Sequence, residues 1–155
     1  MLKLNIKIIF QMMGFLLIFK GLFMYISGVI SWIYKDGATK GIFIAGVTTI
    51  VIGLLFRFVT KGFKKEIKKR EGYIVVTLGW IFMSLSGTMP YLFTESIPSF
   101  TNAFFETMSG YTTTGASILD DIESMPKGIL FWRSTTHGIG GMGIIVWTIA
   151  VLPLL

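Results

Sequence analysis

The stretch SFTNAFFETMSGYTTTGAS, residues 99–117, decides how this chain folds. Its first part predicts a short helix, because Pro98 precedes it, Ser99 or Thr101 can serve as the N-cap, and Gly110 can end it. At about 1.5 Å per residue, such a helix covers only about half of a hydrocarbon core ~30 Å thick. In a membrane protein, this helix must therefore enter the bilayer and return on the same side.

The second part of the stretch, YTTTGAS at residues 111–117, is a poor helix former. Its three consecutive threonines are β-branched and favour extended backbone, and Gly115 permits a positive φ. Extended backbone at membrane depth is tolerated where it is buried in protein or lines a water-filled path. The carbonyls of residues 112–116 could then replace the hydration shell of a monovalent cation, aided by the negative end of the helix dipole. An ordinary polar loop after a surface helix is the alternative that the residues leave open.

The composition places the rest of the chain in a membrane. Of 155 residues, 53% are hydrophobic and only 14% are charged, whereas roughly 25% are charged in soluble domains. Four apolar stretches are long enough to span a bilayer, at about residues 8–34, 41–59, 73–93 and 128–155. Lys20 interrupts the first of them, and the sequence assigns it no role. We expect an all-α membrane protein with four spanning helices and one re-entrant segment before the fourth.

The distribution of charge predicts the orientation. Residues 57–71 contain seven basic and two acidic side chains, whereas residues 94–127 contain five acidic side chains and one lysine. Positive residues in short loops stay on the cytoplasmic side, so we expect a multi-pass protein of the plasma (inner) membrane with a cytoplasmic N-terminus. The formal net charge of +6 does not indicate nucleic-acid binding, because the basic residues lie between two apolar stretches. The lipid bilayer is the expected environment.

Five charged residues near the threonine segment are candidates for function. Asp120, Asp121 and Glu123 would lie at its outer mouth and could raise the local cation concentration, although a solvated acidic loop is an equal alternative. Ionisable groups near the membrane are rare and usually paired. We hypothesise that Glu106, behind the threonine segment, pairs with donors of the following helix, Arg133 being one candidate. Snorkelling of Arg133 to the outer surface is the alternative.

Enzyme chemistry and covalent cofactors are not expected. The sequence has no Cys and a single His, His137, so a histidine metal cluster or a catalytic triad has nothing to build on. Residues 137–143, HGIGGMG, have a glycine spacing that suggests a nucleotide loop, but they lie inside an apolar stretch. Close helix packing is the better interpretation of these glycines.

Two longer stretches carry a resemblance to a known family. Residues 104–117, FFETMSGYTTTGAS, and residues 120–146, DDIESMPKGILFWRSTTHGIGGMGIIV, resemble the first pore repeat of the Trk/Ktr superfamily of potassium uptake proteins. Residues 70–92 resemble the first helix of that repeat. The resemblance implies two parts: an N-terminal transmembrane helix pair with a basic cytoplasmic loop, residues 1–70, and one helix, pore loop, helix repeat, residues 71–155. The N-terminal pair is similar to the additional pair of TrkH-type members.

The resemblance implies potassium uptake through a selectivity filter. It assigns Thr112, Thr113, Thr114, Gly115 and Ala116 to the first quarter of that filter, with K⁺ held by the backbone carbonyls of the first four. In this family a glycine at the position of Gly115 is associated with potassium preference and a serine there with sodium permeation. A cytoplasmic nucleotide-binding regulatory subunit of the TrkA type and a homodimer of the full-length protein are the implied partners.

A single repeat supplies only a quarter of the coordinating carbonyls. We therefore expect the chain to be part of a longer polypeptide that contains the remaining pore repeats. A homotetrameric cation channel and a non-conducting membrane fragment or scaffold are the alternatives.

Overall fold

The computed structural model describes the backbone of residues 6–61 and 69–151, and side chains in residues 6–61 and 72–143. Within these ranges the regular structure is entirely helical, which confirms the predicted all-α class. Six helices follow one another along the described chain: α1 (Ile6–Tyr34), α2 (Thr39–Val59), α3 (Lys69–Gly87), α4 (Met89–Phe93), α5 (Phe100–Tyr111) and α6 (Lys127–Val151).

The predicted spans agree with the helices. In the described part of the chain, three helical stretches are long and apolar enough to cross a membrane, namely Ile6–Tyr34, Thr39–Val59 and Gly72–Phe93. This confirms a multi-pass membrane protein. α6 covers most of the predicted fourth span, whose last residues, 152–155, lie outside the described residues. Most of the predicted basic loop, residues 62–68, lies outside them as well.

The first two helices form an antiparallel pair held at small residues. A Cβ added at Gly14 would lie 2.8 Å from the carbonyl oxygen of Gly53, and one added at Gly28 would lie 2.8 Å from the ring of Phe43. Small residues allow such close backbone approach in membranes, where packing rather than hydrophobic transfer drives association. The spacing of fourteen residues between these two contacts keeps them on one face of α1.

The third predicted span is broken at Thr88, between α3 and α4. Pro90 lies in the first turn of α4 and has no N–H, so the helical bond to the carbonyl of Ser86 cannot form. Neighbouring carbonyls find side-chain donors instead: the Thr88 hydroxyl donates to Leu85 O at 2.6 Å, and Trp132 Nε1 donates to Gly87 O at 3.2 Å. The last turn of α3 is thereby joined to α6.

Three chain reversals meet at one end of the bundle. In the loop between α1 and α2, the Asp36 carboxylate accepts the Gly128 N–H at the start of α6, at 2.8 Å. A Cβ at Gly41 would lie 2.7 Å from the carbonyl oxygen of Phe93, at the end of α4. The buried core at this end includes Trp132, which is fully enclosed. The short helix α5 starts from this end and runs into the bundle.

Candidate functional site

The predicted short helix is α5, Phe100–Tyr111, within one residue of the predicted bounds. Its 12 residues span about 18 Å, which is well short of a bilayer core of ~30 Å. Ser99 occupies the predicted N-cap position with extended backbone, and its carbonyl accepts the Ala103 N–H at 2.9 Å, but its side chain makes no capping bond. The helix is therefore too short to cross a membrane, as the sequence predicts for a re-entrant segment.

The rear of α5 is buried between α3 and α6. A Cβ at Gly87 of α3 would lie 2.5 Å from Thr107 Cγ2. A Cβ at Gly140 of α6 would overlap the carbonyl group of Tyr111. The close packing predicted for residues 137–143 is thus confirmed at Gly140, whereas Gly138 has no atom within 4 Å of its added Cβ. Gly87 and Gly140 allow two helices to press against the end of α5.

The chain leaves the helix through two residues in the left-handed region. Thr113 has φ 56° and Gly115 has φ 76°, and Thr114 between them has no positive φ. For a non-glycine residue this conformation costs about 1–2 kcal/mol. It is held at Thr113 by a hydrogen bond from its N–H to Gly110 O, at 3.0 Å. Residues 112–118 are all exposed. The segment that contains the strained Thr113 is therefore on the surface, and the rear of the helix before it is buried.

Some backbone carbonyls of this segment accept hydrogen bonds and others do not. Thr112 O accepts the Thr113 hydroxyl at 2.7 Å, and Ala116 O accepts the Ser109 hydroxyl at 2.6 Å. Within the described part of the chain, no donor binds the three carbonyls between them, those of Thr113, Thr114 and Gly115. The segment therefore presents three consecutive carbonyls with free lone pairs.

Glu106 lies directly behind the segment and is fully buried. Its Oε1 is 2.5 Å from Arg133 Nε, so the structure brings together the two charged residues that the sequence suggested as a pair. The same carboxylate accepts the Ser117 hydroxyl at 3.2 and 3.1 Å and the Ile118 N–H at 3.1 Å. Ser117 and Ile118 were not predicted from the sequence, because a chain reversal brings them to Glu106. The carboxylate thus ties the end of the segment to the helix that starts it.

The predicted outer-mouth acids lie on an exposed loop. Asp120, Asp121 and Glu123 are all exposed. Asp121 Oδ1 accepts the N–H of Glu123 at 3.1 Å and that of Ser124 at 3.3 Å, so this carboxylate stabilises a turn. Among the described residues, no group of three or more acidic or histidine side chains is placed to hold a metal ion.

The single histidine is bonded within its own helix. His137 Nδ1 lies 2.9 Å from the carbonyl oxygen of Arg133, which can only accept, so Nδ1 carries the proton. This bond satisfies the Nδ1 proton within α6.

A further carboxylate, which sequence reasoning missed, connects the N-terminal pair to α6. Asp36 binds the Ser31 hydroxyl, the Ala38 N–H at 3.0 Å and the Gly128 N–H at 2.8 Å. Partial burial by itself raises the pKa of Asp36, but these hydrogen bonds outweigh it and hold the pKa below its usual value. Asp36 is followed by Gly37, a turn signal that predicts a local bond but not a partner 92 residues away.

Comparison with known proteins identifies the family. A family described as "TrkH: Cation transport protein" matches residues 38–155. The chain is 38% identical over 152 residues to the Trk system potassium uptake protein TrkH of Escherichia coli K12, covering 97% of this chain and 32% of that protein. It is 31% identical over 150 residues to an uncharacterised cation transporter of Methanocaldococcus jannaschii, covering 97% of this chain and 31% of that protein.

A solved structure shows the same fold. The crystal structure of the potassium transporter TrkH from Vibrio parahaemolyticus matches with a TM-score of 0.89 and 34% identity, covering 96% of this chain and 32% of that one. The chain thus spans about a third of the length of the relatives it matches. The family match covers residues 38–155 and the fold matches over 96% of this chain, so the chain belongs to the TrkH family of cation transport proteins.

Proposed function

We propose that this chain supplies the first quarter of a potassium-selective filter, with residues 112–116 as the filter segment. The observation that carries the proposal is the exposed segment with three unbonded carbonyls, held from behind by a buried carboxylate. The relatives from Escherichia coli and Vibrio parahaemolyticus are a potassium uptake protein and a potassium transporter, which supports K⁺ as the ion. The remaining pore repeats of a longer chain supply the other ligands.

The backbone conformation suits such a filter. In a regular extended strand, successive groups alternate between the two faces. Left-handed residues at Thr113 and Gly115, separated by a residue without positive φ, interrupt this alternation and allow neighbouring carbonyls to turn toward a common side. Several carbonyl oxygens on one side can replace the hydration shell of K⁺. The carbonyl end of α5, which meets the segment at Thr112, adds a partial negative charge.

Glu106 and Arg133 support the filter from behind. An ionised acceptor makes hydrogen bonds roughly twice as strong as a neutral one, so the carboxylate holds Ser117 and Ile118 firmly. Arg133 compensates the buried negative charge, which would otherwise be costly. The two ends of the filter segment are thus held at a constant separation, which a size-selective ring of ligands requires.

The charge distribution supports the orientation of this filter. With the N-terminus and the basic loop on the cytoplasmic side of the plasma membrane, α5 enters from outside and residues 120–123 lie at the outer mouth. Asp120, Asp121 and Glu123 then attract cations before they enter. The basic cytoplasmic side is where a nucleotide-binding regulatory subunit binds, and the full-length protein is a homodimer.

Potassium uptake by the full-length reading frame in uptake-deficient bacterial cells tests this function. Substitution Gly115→Ala introduces no clash, because no atom lies within 4 Å of the added Cβ, but it strains the backbone by about 1–2 kcal/mol. We expect K⁺ uptake to fall by about fivefold or more, and Gly115→Ser to admit Na⁺.

The matched control is Gly37→Ala. Gly37 has φ 82° and equally open space, but it lies in the loop between α1 and α2. We expect this variant to keep uptake within about twofold of the wild type, since it carries the same backbone cost away from the filter. Equal losses in both variants, or a wild type that does not restore growth, would overturn the proposal and favour a non-conducting protein.

A further inference from the structure

Lys20 has no part in the filter, yet it is the most unusual side chain of α1. It is 0% exposed in the middle of a membrane-spanning helix. Its Nζ donates to Met83 O at 3.0 Å and to the hydroxyl oxygen of Ser86. No acidic side chain in the described residues forms an ion pair with it. Because an ionisable group inside a membrane is costly, it indicates a function.

Both acceptors lie near the C-terminus of α3, where the carbonyl end of the helix dipole favours a positive charge. The Ser86 hydroxyl, which accepts from Lys20, donates in turn to Phe82 O at 2.6 Å. The Lys20 amino group therefore orders a carbonyl and a side chain of the same turn. The helix is interrupted at Thr88, directly after this turn, and Pro90 in α4 cannot donate to the carbonyl of Ser86, so the end of α3 lacks the stiffness of a continuous helix.

The last turn of α3 ends at Gly87, which packs against α5. Thr107 Cγ2 lies 2.5 Å and Tyr111 Cε2 lies 3.1 Å from the place of a Gly87 Cβ. Gly87 O also accepts the indole N–H of Trp132, at 3.2 Å. Tyr111 directly precedes the filter segment. These contacts connect the end of α3 to the residue that precedes the filter segment.

We infer that Lys20 is a positioning residue for the filter: by binding the last turn of α3, it sets the place of Gly87 against α5. The N-terminal helix pair, which lies outside the filter segment, then contributes to selectivity. This inference rests on the proposed function, because it concerns the geometry of that same filter. The class of ligand involved is the one proposed above, a dehydrated monovalent cation.

The test compares variants of the full-length transporter in cells. Lys20→Met removes the donors and keeps an unbranched side chain, and Lys20→Arg keeps charge and donors. We expect Lys20→Met to lower the ratio of K⁺ to Na⁺ uptake by about threefold or more and to raise KM for K⁺, with Vmax per transporter changed less than about twofold. Lys20→Arg is expected to restore most of the ratio.

A second variant separates positioning from general stability. Met24 lies one turn further along α1, is fully buried and contacts Thr49 of α2. Met24→Ala is expected to lower the melting temperature while it keeps the wild-type ion ratio. If Met24→Ala and Lys20→Met shift the ratio equally, Lys20 is merely structural and the inference is wrong.

The remaining outcomes distinguish the role of Lys20 from the proposed function. Wild-type uptake with an unchanged ratio in Lys20→Met overturns the role of Lys20 alone, whereas absence of K⁺ uptake in the wild type overturns the proposed function. If Lys20→Met does not reach the membrane, Ser86→Ala, which removes one acceptor, is measured instead. A smaller loss of selectivity in that variant supports the inference, and an unchanged ratio rejects it.

Discussion

Glu106 and Asp36 hold two distant regions of the molecule in the same way. Each carboxylate binds a serine hydroxyl and the backbone N–H of a remote segment: Ile118 for Glu106, at 3.1 Å, and Gly128 for Asp36, at 2.8 Å. They differ in surroundings. The Glu106 side chain is 0% exposed and paired with Arg133, whereas Asp36 is partly exposed and its hydrogen bonds come from a hydroxyl and backbone N–H groups.

The difference shows that the cost of removing a hydrogen-bonded carboxylate depends on how deeply it is buried. Removing one partner of a buried ion pair costs about 3–5 kcal/mol, because the other charge stays behind without compensation. Removing a carboxylate that caps a helix start near the surface costs about 1 kcal/mol, since water replaces it. The buried Glu106 carboxylate is therefore suited to supporting the proposed filter. The partly exposed Asp36 carboxylate is suited to joining the N-terminal pair to α6.

The largest effect is expected from Glu106→Gln. This change keeps the size and the hydrogen-bond acceptor for Ile118 but leaves the Arg133 charge without a counter-charge. We expect K⁺ uptake to fall by about tenfold or more and thermal stability to fall with it. Uptake and the melting temperature of the purified protein measure the two effects.

The control is the double variant Glu106→Gln with Arg133→Met, which removes both charges. It should recover a substantial part of the lost stability, because no unpaired charge remains. The stability of Arg133→Met alone is measured as well. If the double variant loses as much unfolding free energy as the two single variants added together, Glu106 and Arg133 are not coupled.

A smaller effect is expected from Asp36→Asn. Because the folded state holds the pKa of Asp36 below its usual value, the carboxylate stabilises the fold fully above its unfolded pKa of about 3.9. This stability is lost as the pH falls through the folded pKa. We expect Asp36→Asn to lower the free energy of unfolding by about 1 kcal/mol at pH 7, which lowers the melting temperature. At acidic pH we expect no comparable loss.

The measurement is thermal unfolding in detergent between neutral and acidic pH, with K⁺ selectivity as a second readout. Selectivity should stay at the wild-type value, since Asp36 contacts α6 at its start rather than the filter segment. A difference between Asp36→Asn and wild type that is independent of pH would contradict this account.

The smallest effect is expected at the exposed acids. Asp120→Asn combined with Glu123→Gln removes two solvated charges and leaves Asp121, which stabilises the turn, unchanged. At low ionic strength we expect KM for K⁺ to rise by less than about twofold, and at about 0.15 M salt the Debye length of ~8 Å screens most of this change. A large effect that persists in high salt would instead indicate direct ion contact at the loop.

Much of the fold could be predicted because it depends on local properties. Long apolar stretches predict spans, and the stretch at residues 99–110 is too short to cross, which predicts a re-entrant segment. The break at Thr88 was not predicted, although Pro90 lies near the end of the predicted span. A proline in the first turn of a helix and a proline that ends one look alike in sequence, and only the neighbours that cap the free carbonyls, such as Trp132, decide between them.

The candidate site was predicted less completely. Glu106 and Arg133 stood out because charged residues near a membrane need partners, and the structure places them in contact. Ser117, Ile118 and the carbonyls that remain unbonded could not be selected, since their roles depend on how the chain reverses after α5.

The amino-acid sequence by itself determined the membrane location, the helical class and the short helix followed by a non-helical segment, because hydrophobicity, length and β-branching act over a few residues. Only the tertiary structure decided which groups meet across the bundle. The bonds of Lys20 to the end of α3 and of Asp36 to the start of α6 join residues 63 and 92 positions apart. Such pairs arise from packing at glycines and from the cost of leaving buried polar groups without partners, and both conditions are set by the whole fold.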